Sequence, residues 1–229
     1  MGNSEQKMRR FGQMHGWVNR ILRVDLGARR ATAHEAEPWV PDYLGGRGLA
    51  ARICWEEYPK PVDPFHPNNP LMIFAGALTG SRAPYAGRAS ICAFSPQGYP
   101  HGWFTRSTIG GHFGAELKRA GYDGLIVTGQ ADEPLHLRIR DDEVSLQPAR
   151  ELWGLDALDT LEALAAQDGR CVRGLAIGPA GERLSRIATI QTASSSASGQ
   201  GGFGAVMGAK NLNAISVVGS GKVSLAEPD

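Results

Sequence analysis

The apolar and polar positions of the chain fall into a succession of short elements. Val18 to Leu26 alternates in part, Gly27-Ala28 is turn-like and Ala31 to Ala36 returns, which predicts a β-hairpin within residues 16–39. Gly45 to Leu49 opens a helix that runs through Ala50–Tyr58 and stops at Pro59 and Pro61. The unbroken apolar run Leu71–Ala75 predicts a buried strand, and Arg88–Phe94 predicts another beyond a Gly76–Gly87 loop. Gln97–Ile109 reads as an irregular loop, Gly110–Ala120 as a short helix stopped by Gly121, and Leu125–Val127 as a strand. Leu135–Arg140 alternates cleanly and turns at Asp141-Asp142 into Val144–Leu146. Leu155, Leu158, Leu161 and Leu164 recur at helical spacing, with Asp156 or Asp159 at the N-terminal turn. Leu175–Gly178 and Ile187–Ile190 read as strands. Residues 1–15 read as a tail, 16–220 as the domain and 221–229 as the start of a linker.

One element occurs twice. Gly111-His112-Phe113-Gly114-Ala115 matches Gly202-Phe203-Gly204-Ala205, and downstream of each phenylalanine a strand closes on Gly129 or Gly219. Upstream, Gly76–Gly80 matches Gly178–Gly181, and Arg88 and Arg186 each head an apolar segment. The period, about 90 residues, is too long for a solenoid. It predicts an α+β domain, duplicated with pseudo-twofold symmetry, built of β-sheets with short helices after Gly-rich loops. A glycine loop feeding a helix suits an anion, because it lets a surface approach and leaves amides unpaired. A plain structural turn is the competing reading of either loop alone; two copies favour a two-sided cradle. Such a cradle suits a phosphate-bearing cofactor with the Mg²⁺ that neutralises it. The residues alone reach an anion-binding platform with no evident catalytic group.

Composition narrows the function classes. The 229 residues are 42% hydrophobic and 21% charged with a net charge of +1, which excludes a basic nucleic-acid footprint. No apolar run is long enough for a membrane span, and no apolar segment follows Arg9-Arg10 as a twin-arginine signal requires. Cys54, Cys92 and Cys171 are widely spaced without a CxxC. They predict reduced, mostly buried thiols in a cytoplasmic protein, not a self-contained zinc or iron–sulfur site.

The motifs also carry a resemblance. Gly45-Gly46-Arg47-Gly48-Leu49-Ala50, Gly76–Gly80 with Ala83-Pro84, Gly87-Arg88, Gly110–Lys118 with Ala120–Asp123, Ile177–Glu182 and Gly201–Leu212 resemble, in order, the N-terminal domain of the tungsten-containing aldehyde:ferredoxin oxidoreductases, over residues 16–225. The resemblance implies a duplicated α+β base for a tungsten bis-pyranopterin cofactor. Backbone groups of two Gly-rich regions, Thr108–Gly111 and Ser196–Gln200, would hold the pterin phosphates and a bridging Mg²⁺. By motif position the cofactor-binding residues are Arg88, Thr108, Gly110, Gly111, Ser196, Ala197, Gly199 and Gln200. The carbonyls of Thr108 and Ala197 would be the Mg²⁺ ligands, and Arg88 matches an arginine between a pterin and an iron–sulfur cluster.

The resemblance further implies oxidation of small aldehydes to carboxylic acids with a ferredoxin-like acceptor. In the family the [4Fe-4S] cysteines and the acid/base residues lie in two further helical domains, here to be supplied by a missing part or a split subunit. No catalytic residue is therefore assigned to this chain. A benzoyl-CoA reductase-type catalytic subunit shares the pattern, and a non-enzymatic pterin-binding or docking domain and a degenerate remnant are the other readings. Two departures stand out. The family often has Asn where Thr108 stands, and some members carry Arg at the positions of Ser196 and Gln200. Among other polar residues, His112 reads as structural, Glu116 and Lys118 as a solvated or interdomain face, Asp123 as a turn stabiliser and Arg186 as satisfied by carbonyls. His101, Trp103 and Arg106 fall in the expected long loop.

Overall fold

The computed structural model describes residues 15–36, 39–98, 100–169 and 172–227. Cys171 and residues 1–14 of the expected tail lie outside them. Strands β1 (Arg20–Asp25), β2 (Arg30–Glu35), β3 (Leu71–Ala75), β4 (Ala89–Ser95), β5 (Trp103–Ile109) and β6 (Gly124–Thr128) form one sheet, ordered β2-β1-β6-β3-β4-β5. Strands β7 (Leu135–Arg140), β8 (Glu143–Pro148), β9 (Arg173–Ala176), β10 (Ile190–Gln191), β11 (Ala197–Ser198) and β12 (Leu212–Val218) form the second, ordered β8-β7-β12-β9-β10-β11. The two orders coincide when β1 is matched with β7 and each later strand with its counterpart. In each sheet the first and last strands, β1 with β6 and β7 with β12, pair in parallel, and the other pairs are antiparallel.

The helices are α1 (Val40–Tyr43), α2 (Gly46–Glu57), α3 (Phe113–Arg119), α4 (Ala157–Asp168), α5 (Pro179–Glu182) and α6 (Phe203–Ala209). Helices α2 and α4, 12 residues each, cover the outer faces of the first and second sheets. Between the sheets lie the two short helices. Helix α3 packs on β3 but also on β9 and β12, and α6 packs on β12 but also on β3 and β4. Phe113, Leu117, Phe203, Val206 and Met207 join the inward residues of both sheets in one buried core. The duplication thus takes in the hairpin and the long helix as well as the glycine loops. Leu135 follows Arg20 by 115 positions, whereas Phe203 follows Phe113 by only 90, because the first copy has longer loops.

Helix α4 shows how local sequence sets an end. Asp156 accepts hydrogen bonds from the amides of Leu158 (2.8 Å) and Asp159 (2.9 Å), so it is the N-cap. Asp156→Ala is expected to lower the unfolding free energy by about 1 kcal/mol, read from the midpoint of a urea melt.

Several expectations change. Gln97–Ile109 is not all loop: Trp103–Ile109 is β5, paired along its length with β4. Of the expected strand Ile187–Ile190, only Ile190 is strand, the first residue of the two-residue β10 that continues to Gln191, and Ile187 is 72% exposed. Glu116 and Lys118 are buried rather than solvated, because α3 is covered by sheet on both sides. The Lys118 ammonium donates to the carbonyls of Gly16, Gly76 (2.6 Å) and Ala77 (2.9 Å), and Glu116 accepts from the Gly219 amide at 3.1 Å. Asp123 does more than shape a turn: it accepts from the amides of Val18 and Asn19 and fixes the chain entering β1. Lys210, after α6, donates to the carbonyls of Pro67 (2.8 Å) and Gly129 (3.3 Å), tying the second half to the first. Beyond β12, Gly221 donates to the Arg119 carbonyl and Ser224 accepts from the Gly16 amide.

Candidate functional site: a two-sided glycine cradle

The loop at Thr108–Gly111 leads from β5 into α3, and Ser196–Gln200 leads through β11 into α6. Strands β5 and β11 are edge strands that lie beside each other where the sheets meet. The two loops therefore touch: the Gly110 amide donates to the Ser196 hydroxyl at 2.8 Å. Ser196 is presented by a turn in which the Thr192 amide donates to the Ser196 carbonyl (2.9 Å) and the Ser195 amide to the Thr192 carbonyl (3.1 Å). The second loop is also anchored to the first half. Gln97 Oε1 accepts from the Gly201 amide at 2.9 Å, and Ser95 Oγ donates to the Gly201 carbonyl at 2.8 Å.

Absent side chains make this junction possible. A Cβ on Gly110 would stand 2.8 Å from Ser196 Oγ. Gly111 has φ +81°, and a Cβ there would stand 2.6 Å from Ser194 Oγ and 3.3 Å from Thr192 Oγ1. The loop before β4 reaches the same place, with Gly87 against the Gly111 carbonyl. Arg88 follows it, exposed, with a single long contact from Nη1 to Thr108 Oγ1 at 3.4 Å and no carboxylate partner among the described residues. Arg186 differs from its repeat partner as expected: its Nη1 donates to the Pro96 carbonyl at 2.7 Å, and it lies over the Phe65 ring.

All eight expected cofactor-binding positions thus lie on the two joined loops or, for Arg88, beside them. The amides of Gly111, Gly199 and Gln200 bond to no other described residue, and the buried Ser198 hydroxyl also lacks a partner. Unpaired amides, a buried orphan hydroxyl and space that a Cβ would fill suit a phosphate-bearing group. No trio of His, Cys, Asp or Glu side chains among the described residues could hold a metal ion, so a cation at this junction would take carbonyl and phosphate oxygens.

The other expected residues sort by position. His112 is the N-cap of α3, exposed, and makes no capping bond; it borders a cavity of ≈ 240 Å³ with Thr192 and Ser194. Arg106 precedes Thr108 by two positions and so shares its face of β5, while His101 and Trp103 lie at the other end of that strand. Ser95, Gln97, Thr192 and Ser194 build the junction; Ser194 opens the small-residue stretch that runs into the second glycine loop, but no motif marked the other three. The turn Ser95-Pro96-Gln97-Gly98 after an apolar strand was the available signal. Cys54 and Cys92 take no part: burial pushes the Cys54 thiol up to about 11 and the Cys92 thiol up to about 12, so both stay protonated.

Fold and junction together define a duplicated α+β domain that offers a backbone cradle between its halves. The chain belongs to the aldehyde ferredoxin oxidoreductase family: the model of that family's N-terminal domain matches residues 21–219. It is 40% identical over 216 residues to the tungsten-containing aldehyde ferredoxin oxidoreductase of Pyrococcus furiosus, covering 93% of this chain and 35% of that protein. An aliphatic sulfonate oxidoreductase, WOR-like subunit, of the same organism is 34% identical over 226 residues, covering 91% of this chain and 35% of that protein. Among solved structures, the active-site complex of benzoyl coenzyme A reductase with 1,5-dienoyl-CoA superposes with a TM-score of 0.88 at 34% identity, over 93% of this chain and 32% of that one. The chain therefore spans about a third of the length of these relatives.

Proposed function

We propose that this chain is the tungstopterin-binding part of an aldehyde-oxidising enzyme, completed by helical domains on the same or a separate polypeptide. The observation that carries the reading is the direct joining of the two glycine loops, Gly110 to Ser196, with unengaged amides on either side. When bound, the cofactor supplies the redox chemistry at tungsten. The chain's own residues bind and orient it. The Gly111, Gly199 and Gln200 amides would receive phosphate oxygens, and the Thr108 and Ala197 carbonyls would hold the Mg²⁺. The Gly110 amide is already given to Ser196, so Gly110 contributes the space left by its missing side chain. Arg88 would supply a guanidinium that has no carboxylate partner among the described residues, suited to a pterin and to charge arriving from an iron–sulfur cluster held elsewhere.

Exposed apolar side chains favour this reading over a stand-alone carrier. Leu78 (60%) and Tyr85 (101%) stand on the loop that ends at Arg88, and Ile187 (72%) follows Arg186 beside Gly202. A covering domain would bury them. The resemblance to benzoyl coenzyme A reductase leaves a ring-reducing enzyme as the alternative, with the same cradle and a different covering domain.

The test is tungsten and pterin analysis of the chain purified from a tungstate-fed host, alone and with any co-expressed neighbouring chain. Near-stoichiometric tungsten in either preparation is the expected result. Neither tungsten nor pterin in both would overturn the reading.

A further inference from the structure

The strand registers match the two halves residue by residue, and one region breaks the match. Ile21 pairs with Gly124 and His136 with Ala214, so His136 stands where the first half has Ile21. By the same registers Ser216 stands at Ile126, Ala176 at Phe74, Arg138 at Arg23 and Arg140 at Asp25. In the first half Ile21, Phe74 and Ile126 fill an apolar core under α2. In the second half Leu161 and Leu164 of α4 pack on Ala176 and Ala214. Beside them a cavity of ≈ 570 Å³ opens, bordered by His136, Arg138, Gln147, Arg150, Glu151 and Asp168. That size is ordinary for a small-ligand site.

The polar changes fit one another. Arg23 spends both terminal nitrogens on Glu57, at 2.7 and 2.5 Å. Asp168, the counterpart of Glu57, is one methylene shorter. Its Oδ1 takes Arg138 Nε at 2.8 Å and Arg140 Nη2 at 2.9 Å. The terminal nitrogens of Arg138 make no hydrogen bond among the described residues, and Nη1 forms a long ion pair with Glu143 at 3.9 Å. Arg140, in the place of an acid, adds a second cation to one carboxylate. Arg150, at the rim, is paired with Glu133 at 2.8 Å. His136 donates to or accepts from Ser216 Oγ at 2.7 Å, and burial holds its pKa down to about 4, so the ring is neutral near pH 7.

We propose that this cavity binds a small oxyanion, a carboxylate or phosphate group received by the two terminal nitrogens of Arg138, which make no hydrogen bond of their own. The site is separate from the glycine cradle. Strand β7 lies four strands from β11, roughly 20 Å at the usual spacing between strands.

Isothermal titration of the full chain with inorganic phosphate and, separately, with succinate tests it. Saturable binding of at least one anion is expected, with a dissociation constant of about 1 mM or tighter, and the anion that binds identifies the source. Arg138→Gln should weaken that binding about tenfold or more. Because Arg138 also holds Asp168, its loss can unfold the end of α4. Gln147→Trp, at an exposed position of edge strand β8, instead blocks the cavity mouth and should weaken binding to the same degree at an unchanged melting temperature. No saturable binding of either anion, or unchanged affinity in Gln147→Trp, overturns the proposal.

Discussion

Lys118→Met is expected to destabilise the folded chain by about 3–5 kcal/mol, the usual cost of removing one partner from a buried charge network. The ammonium is enclosed on all sides, with Asp123 at 4.0 Å and the carbonyls of Gly16, Gly76 and Ala77 as acceptors. Methionine fills the space but leaves the Gly16 and Ala77 carbonyls without a donor, at about 1–3 kcal/mol each, while the Gly76 carbonyl keeps the Thr79 amide at 3.1 Å. The desolvation that the lysine no longer carries offsets part of this loss. Gly76 and Ala77 begin the loop that ends at Arg88, and Gly16 precedes β1. The substitution should therefore loosen the entry to the first sheet together with one wall of the cradle. Chemical denaturation followed by tryptophan fluorescence reads the effect; a change under about 1 kcal/mol would place it among ordinary surface substitutions and show that the carbonyls do not depend on the ammonium.

The same group sets a pH dependence. Burial lowers the Lys118 pKa to about 8 and the Lys210 pKa to about 7 from the ordinary 10.5. Between those values and 10.5 the unfolded chain binds more protons than the folded one, so these lysines make stability rise with pH across that window. As pH falls through the folded-state values, that contribution is lost. In Lys118→Met the rise should be shallower, which separates a titrating ammonium from a merely space-filling side chain.

How much of this was legible in the sequence depended on what each residue touches. The hairpin Leu135–Leu146 was plain because one face meets the core and the other does not, so the alternation is clean. Strand β5 was hidden. At the edge of its sheet, beside the cradle, Trp103 and Arg106 are exposed while Phe104 and Thr105 are half-covered, so no two-residue period emerges. Strands β10 and β11, two residues each, are too short for any pattern. The glycine loops revealed the duplication because close approach fixes both residue type and spacing there. The hairpins and long helices, equally duplicated, had diverged in side chain and shifted in offset. Glu116 and Lys118 read as solvated because charge is normally outside; the carbonyl cage around Lys118 comes from Gly16, Gly76 and Ala77, far away in the chain. The cradle positions were legible as glycines, but the residues that join the loops, Ser194 and Ser196 excepted, were not. Their role depends on contact between halves about 100 residues apart.

That junction makes the second prediction the more demanding one. Gly111→Val is expected to lower the tungsten and pterin recovered with the chain by about tenfold or more, a loss of at least 1.4 kcal/mol in cofactor binding. Two causes act together. The left-handed φ of +81° is unfavourable for any side chain, by about 1–2 kcal/mol, and more so for a β-branched one. The new Cβ, 2.6 Å from Ser194 Oγ and 3.3 Å from Thr192 Oγ1, pushes on the turn that presents Ser196 to the Gly110 amide. The loops then part, and the amides of Gly111, Gly199 and Gln200 no longer converge. Gly169→Val separates the causes: Gly169 also has a left-handed φ, +94°, but nothing lies within 4 Å of its Cβ position, at the end of α4. If the cradle acts through its shape, Gly169→Val keeps its tungsten while Gly111→Val loses it at a comparable melting temperature. Equal retention in both variants would mean that the glycine at 111 serves the backbone alone. The phosphates would then have to be held by some other part of the chain.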